Sequence, residues 1–204
     1  MTNLTTSHLI ELSRPEPSVS AVTTDAELVA RAKRDPAVFA DLYLRYVDRV
    51  YRYCYRRLGG PDAAADATSQ VFAKALAALP SCRDETFRAW LFAIAHNVLV
   101  DSHRGRSLTA PLESAVDLAD PAPSPEERAV TGAAWAEDVA VLDRLSPDQR
   151  QVVELRLAGL SGNEIGEVLG RRRDAIDAIQ SRAVARLRTL LGVTREGDGH
   201  DGTR

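Results

Sequence analysis

The stretch AGLSGNEIGEVLGRRRDAIDAIQSRAVARLRTLL, Ala158 to Leu191, reads as two helices joined by a tight turn. Ser161 and Glu164 stand three apart, the spacing of a capping box, and fix the start of the first helix. Ile165, Val168 and Leu169 give that helix an apolar side. Gly170 ends it, because glycine accepts the left-handed backbone of a helix stop. In the second helix Ile176, Ile179, Ala183, Leu187 and Leu190 recur at spacings of three and four, so they share one buried face. Its start carries Arg171, Arg172 and Arg173. A helix-turn-helix sets the start of its second helix against base edges in the major groove, where arginine suits guanine and phosphate. An ordinary helical hairpin with a solvated charged end has the same pattern, so this segment alone does not establish DNA binding.

Working outward, every other ordered segment also reads as helix. Ser146-Pro147-Asp148-Gln149 is a second capping box with proline at the first helical position, opening a helix through Leu157. Ser124-Pro125-Glu126-Glu127 repeats the signal and predicts a helix to about Leu145. Residues 105–124 have no period and contain Pro111, Pro121 and Pro123 with Glu113, Asp117 and Asp120; they read as an acidic linker, too long for an intradomain turn. Before it, Phe87, Trp90, Leu91, Ile94, Val98 and Leu99 predict a helix from Phe87 to Arg104, with Trp90 in the core. Val71, Ala75 and Leu79 place another between Asp62 and Leu79. Phe39, Leu42, Tyr43, Tyr46, Val50 and Cys54 define the buried side of a helix from Pro36 to Leu58. Its other side carries Arg45, Arg49, Arg52 and Arg56, either a solvated face or a surface for a polyanion or acidic partner. Thr24 and Glu27 cap a short helix to about Arg34. Residues 1–23, rich in Ser, Thr and Pro, and residues 193–204 read as flexible tails. No strand pattern or internal repeat occurs. The expected fold is all-α: two small helical domains, 24–104 and 125–192, joined by the linker, the second a helix-turn-helix.

Composition narrows the function. Hydrophobic residues make up 45% of 204 residues, enough for buried cores, and few are aromatic. The net charge of −3 argues against a general polyanion binder. Charge is local instead: residues 171–191 carry a positive excess of about four. Weak DNA affinity, completed by a partner, fits that distribution. Cys54 and Cys82 are no disulfide framework and match no zinc spacing. His96 and His103 are seven apart on a predicted helix, and surface imidazoles explain them better than a metal site. No cofactor or metal is implied. The first two dozen residues lack the basic start and apolar segment of a signal peptide, and no run approaches membrane-spanning length, so a cytoplasmic protein is expected. Gly-rich phosphate loops, paired-carboxylate clefts and nucleophile elbows are absent from the sequence, which speaks against an enzyme.

The segments FADLYLRYVDRVYRYCYRRLG, DATSQVFAKALAAL, FRAWLFAIAHNVLVDSHR and LSPDQRQVVELRLAGLSGNEIGEVLG, in that order, resemble the sigma-70 family, specifically an extracytoplasmic-function (ECF) RNA polymerase sigma factor. The resemblance covers about residues 25–192. It implies a dissociable polymerase subunit whose first domain binds the β′ clamp coiled coil and opens promoter DNA at the −10 element. The second domain would read the −35 element and meet the β flap. Weak contacts sum when both domains sit on one polymerase. The resemblance places Asp62, Asp66, Thr68 and Gln70 at the core-polymerase contact. It places Arg83 and Asp84, in the Ser81–Thr86 loop, where a flipped −10 base is captured, with Asn97, Asp101 and Arg104 on a helix face toward the same element. Arg171, Arg172, Arg173, Asp177, Ser181 and Arg182 would meet the −35 element, and an anti-sigma factor is a possible partner.

Two departures from the family pattern stand out. Ala65 replaces a usual acid, and Asp177-Ala178-Ile179 replaces small or basic residues after the turn. Asp177 could accept a hydrogen bond from cytosine N4 or repel phosphate. The alternative function is a helix-turn-helix regulator that acts without core polymerase. It would share the Ala158–Leu191 pattern but not the FRAWLFAIAHN block.

Overall fold

A computed structural model describes residues 23–105 and 139–192, with residues 103–105 described by their backbone alone. Its helices are α1 (Asp25–Ala32), α2 (Phe39–Leu58), α3 (Pro61–Ala78), α4 (Phe87–Gly105), α5 (Pro147–Leu157), α6 (Gly162–Leu169) and α7 (Arg173–Leu190). Single 3-10 turns precede α2 at Pro36–Val38 and link α3 to α4 at Leu79–Ser81 and Asp84–Thr86. No strand occurs among the described residues. The acidic linker, most of the helix expected from Ser124, and both tails lie outside them; helical backbone at 139–142 is the described end of that helix.

The helix starts follow local chemistry. Thr24 and Glu27 satisfy each other's backbone N–H groups at 3.3 and 2.8 Å and open α1. Ser146 and Gln149 do the same for α5. Asp35 accepts from the Ala37 amide at 3.0 Å beside Pro36, which makes the turn before α2 3-10 rather than the continuous helix expected from Pro36. Each box satisfies donors that a helix start otherwise leaves unpaired.

Helix α2 is the spine of the N-terminal half. Tyr43 meets Phe72 of α3 edge-on at 4.7 Å between ring centroids, while Tyr46 and Tyr53 meet Phe87 and Phe92 of α4 at 5.5 and 5.6 Å. Such geometry adds about 0.5–1.5 kcal/mol per pair beyond simple burial. Tyr46 also donates its hydroxyl to Asp25, which ties α1 to α2. Trp90 packs its ring against Phe87 and is half-buried, as a core residue at the edge. The arginine side of α2 is only partly open: Arg49 and Arg52 are exposed, whereas Arg45 and Arg56 are not. Arg45 pairs with Asp25 at 2.7 Å and donates to the Thr23 carbonyl, Arg49 lies 5.8 Å from the Tyr46 ring centroid, and Arg56 is buried. Burial and neighbours absorb the two ends of the stripe, Arg45 and Arg56.

The C-terminal helices do not form a separate core. Val152, Leu155, Ala158, Leu160, Ile165, Ile176 and Ile179 join the same apolar cluster as α2, α3 and α4. Among the described residues, Leu142 and Leu145, with Val153 of α5 and Ala183 and Leu187 of α7, form a second, smaller cluster. Helix α6 lies against α4, and α5 against the end of α2. Leu190, expected on the buried face of α7, is only half-buried.

Candidate nucleic-acid interface

The helix-turn-helix is built from α6, a turn and α7. Ser161 caps α6: its hydroxyl accepts from the Glu164 amide, and the Glu164 carboxylate accepts from the Ser161 amide at 2.7 Å. Gly170 closes the helix at φ 63°. The turn then packs so tightly on α6 that a Cβ at Gly166 would lie 2.7 Å from the Arg171 carbonyl oxygen. The angle between the two helices therefore depends on a glycine that periodicity alone does not reveal.

The second helix opens at Arg173, so Arg171 and Arg172 stand in the turn rather than in the helix. The three arginines have different surroundings. Arg171 forms a fork-to-fork pair with Asp148 of α5, both contacts at 2.9 Å. Arg172 is 90% exposed, with Asp174 no nearer than 3.8 Å. Arg173 donates its Nε–H to both carboxylate oxygens of Asp177, at 2.9 and 2.8 Å. Asp177 thus faces solvent, as expected, but already holds an arginine. Ser181 and Arg182 are exposed further along α7.

In the N-terminal half, Asp62, Asp66 and Gln70 are exposed at spacings of four and form one row along α3. Thr68 does not join them. It is buried, and its hydroxyl donates to the Ala64 carbonyl at 2.7 Å, so it is not on the surface where the resemblance places it. Arg83 is exposed between the two 3-10 turns. Asp84 is half-buried and paired with Lys33 at 2.6 Å, which limits what else its carboxylate can accept. Asn97 and Asp101 are exposed one helical turn apart on α4. The Arg104 side chain lies outside the described residues.

Polar contacts at the seam between the halves join residues far apart in the sequence. Arg88 of α4 grips Glu164 of α6 with two hydrogen bonds, 2.7 and 2.9 Å long. Burial alone would raise the Glu164 pKa, but the hydrogen bonds from Arg88 and Ser161 outweigh it and hold the carboxyl below its ordinary value. Glu154 of α5 is fully buried between Arg150, at 2.6 Å, and Arg57 of α2, at 3.4 Å. There desolvation wins, and the Glu154 pKa is raised despite both arginines. Arg150 also donates to the Arg56 carbonyl and to Asp143. His96, whose ring lies 3.3 Å from the Tyr53 hydroxyl, is pushed below its ordinary pKa by burial and by Arg57.

Two family models match the chain: sigma-70 region 2 over residues 42–109 and sigma-70 region 4 over residues 141–189. The chain belongs to the sigma-70 family. Within it, the relatives are ECF sigma factors. BldN of Streptomyces coelicolor is 36% identical over 171 residues, which cover 81% of this chain and 65% of BldN. ShbA of Streptomyces griseus is 34% identical over 184 residues, covering 82% of this chain and 95% of ShbA. Among solved structures, CnrH in complex with the cytosolic domain of CnrY has a TM-score of 0.62 at 25% identity, covering 84% of this chain and 99% of CnrH. In this ECF sigma factor the helix-turn-helix thus falls in region 4, and the exposed rows on α3 and α4 fall in region 2. No helix among the described residues is long and apolar enough to cross a membrane.

Proposed function

We propose that this ECF sigma factor binds core RNA polymerase in the cytoplasm, recognises −10 and −35 promoter elements and directs transcription initiation. The observation that carries the reading is an intact helix-turn-helix, opening on exposed Arg172 and Arg173, in one chain with a region 2 whose polar surface groups stand in ordered rows. Residues 24–104 serve the clamp coiled coil and the −10 element, and residues 125–192 serve the −35 element and the flap.

At the core contact, Asp62, Asp66 and Gln70 supply acceptors and an amide from one face of α3. Thr68 acts from inside the helix packing, as a support for that row. Asn97 and Asp101 on α4, with Arg83 in the preceding loop, meet the −10 element. Capture of an extruded base there must recover a few kcal/mol of lost stacking, which several hydrogen-bonding groups can supply. The exposed Arg172 contacts phosphate or a base edge at the −35 element. CnrH is in complex with the cytosolic domain of CnrY, and RpoE of Bartonella quintana with the anti-sigma factor NepR, which supports an anti-sigma partner for this chain too.

Transcription from promoter DNA by core polymerase with and without the purified chain tests the reading. Initiation is expected only with both. The paired change Asp66→Ala and Gln70→Ala should weaken core association several-fold while the melting temperature stays unchanged. DNA opening by the chain alone, or no core association at physiological salt, would refute the proposal in favour of an independent helix-turn-helix regulator.

A further inference from the structure

We infer that Asp177 and Gly162 are positioning residues that hold the Arg173 guanidinium end-on for a guanine in the −35 element. The inference rests on the proposed −35 reading and assigns Asp177 a role other than base contact or phosphate repulsion.

Three surroundings fix the guanidinium. Its Nε–H is spent on both oxygens of Asp177, at 2.9 and 2.8 Å. One Nη1–H goes to Asn163 Oδ1 at 3.3 Å. Its flat face lies over Gly162, so closely that a Cβ there would sit 2.7 Å from Cζ and Nε and 2.9 Å from Nη1. An arginine has five N–H donors. Once these are used, both Nη2 hydrogens and one Nη1 hydrogen remain, at the end of the fork. That end is the part that matches guanine O6 and N7 in a bidentate contact. About half of each side chain, 46% for Arg173 and 49% for Asp177, stays exposed, so the fork end is open to a groove.

Helix stabilisation does not account for the pair. A cation in the first turn of α7, four residues before its acid, is the less favourable order along a helix. The same guanidinium also lies at the start of α6, where the helix dipole disfavours positive charge. A guanidinium held between two helix starts suits an anionic surface approaching both. Holding it before DNA arrives also removes side-chain freedom that a free arginine would lose on binding.

The test is selection of randomised −35 elements by the holoenzyme, using the full chain and its Arg173→Ala, Asp177→Ala, Gly162→Ala and double Arg173→Ala/Asp177→Ala variants. The wild type should prefer guanine at one position, and Arg173→Ala should lose about 5- to 150-fold of discrimination there. Asp177→Ala and Gly162→Ala should lose preference at that same position by at least several-fold. The double variant should be no worse than Arg173→Ala. Gly162→Ala separates positioning from folding: the atoms a Cβ would meet are the movable end of one side chain, and alanine suits a first helical position. Its melting temperature should not fall while its base profile changes.

Loss of preference by Asp177→Ala at a different base would mean that Asp177 reads DNA itself. A uniform gain in affinity without a changed profile would mean that it only repels phosphate. An unchanged profile for Gly162→Ala would remove the glycine seat. Each of these overturns the inference while leaving the −35 reading intact. A wild-type holoenzyme with no −35 preference would instead refute the reading on which it stands.

Discussion

The seam between regions 2 and 4 and the start of α7 use the same chemistry, arginine against carboxylate, in opposite surroundings. At the seam, Glu154 is fully buried and the flanking Arg57 and Arg150 side chains are only 14% and 20% exposed. At the start of α7, the side chains of Arg172 and Asp174 are 90% and 88% exposed. A buried pair is costly to assemble, because both ions lose water, and still more costly to break from one side. An exposed pair contributes little to stability and exchanges readily for another anion. The contrast separates two uses of arginine in one chain. Those at the seam hold helices together, whereas Arg172, before the start of α7, is free to trade Asp174 for a phosphate or a base.

The largest expected effect that would break this comparison is at Glu154. Glu154→Ala should destabilise the protein by about 3 kcal/mol in chemical denaturation, since it leaves two arginines at the seam without their shared acid. Glu154→Gln should lose less, because the amide keeps an acceptor and carries no charge to desolvate. The Glu154 pKa is raised in the fold, so its contribution is fully present below the unfolded carboxyl pKa and is lost as pH rises through the folded value. Glu154→Gln should therefore flatten that part of the stability-versus-pH curve. If Glu154→Ala unfolds no more easily than the wild type, the seam is not a structural ion pair.

A smaller effect is expected at Arg88. Its pair with Glu164 is about a quarter exposed on one side and a fifth on the other, between the two extremes. Arg88→Ala should cost about 1–2 kcal/mol. The pH dependence has the opposite sign to that of Glu154. The Glu164 pKa is depressed, so its stabilisation is present above the unfolded carboxyl value and is lost as pH falls through the folded one. Acid titration of Arg88→Ala should show a shallower loss on that side than the wild type. An unchanged acid limb would show that Ser161 alone holds the Glu164 carboxylate.

The smallest effect on stability, and the sharpest on function, belongs to Arg172. Arg172→Ala should shift stability by no more than about 0.5 kcal/mol. It should weaken −35-dependent DNA binding and reduce its salt dependence by about one phosphate contact. A loss of stability comparable to that of Arg88→Ala would erase the distinction between the two regions.

The amino-acid sequence by itself determined the helices and most of their starts. Capping boxes at Thr24, Ser146 and Ser161 involve partners three residues apart, and apolar periodicity is equally local, so neither needs the rest of the chain. The exposed arginines after Gly170 and the row Asp62, Asp66 and Gln70 were legible for the same reason. Thr68 was not, because its polar side chain satisfies itself one turn back inside the packing. Only the tertiary structure decided that α5, α6 and α7 share a core with region 2. It alone joined Arg88 to Glu164 across 76 residues and Arg57 to Glu154 across 97. It also decided that Asp177, Asn163 and Gly162 converge on Arg173. A local pattern can state which face of a helix is apolar or charged. Which distant face meets it is fixed by packing, where burial turns a surface carboxylate such as Glu154 into part of the core.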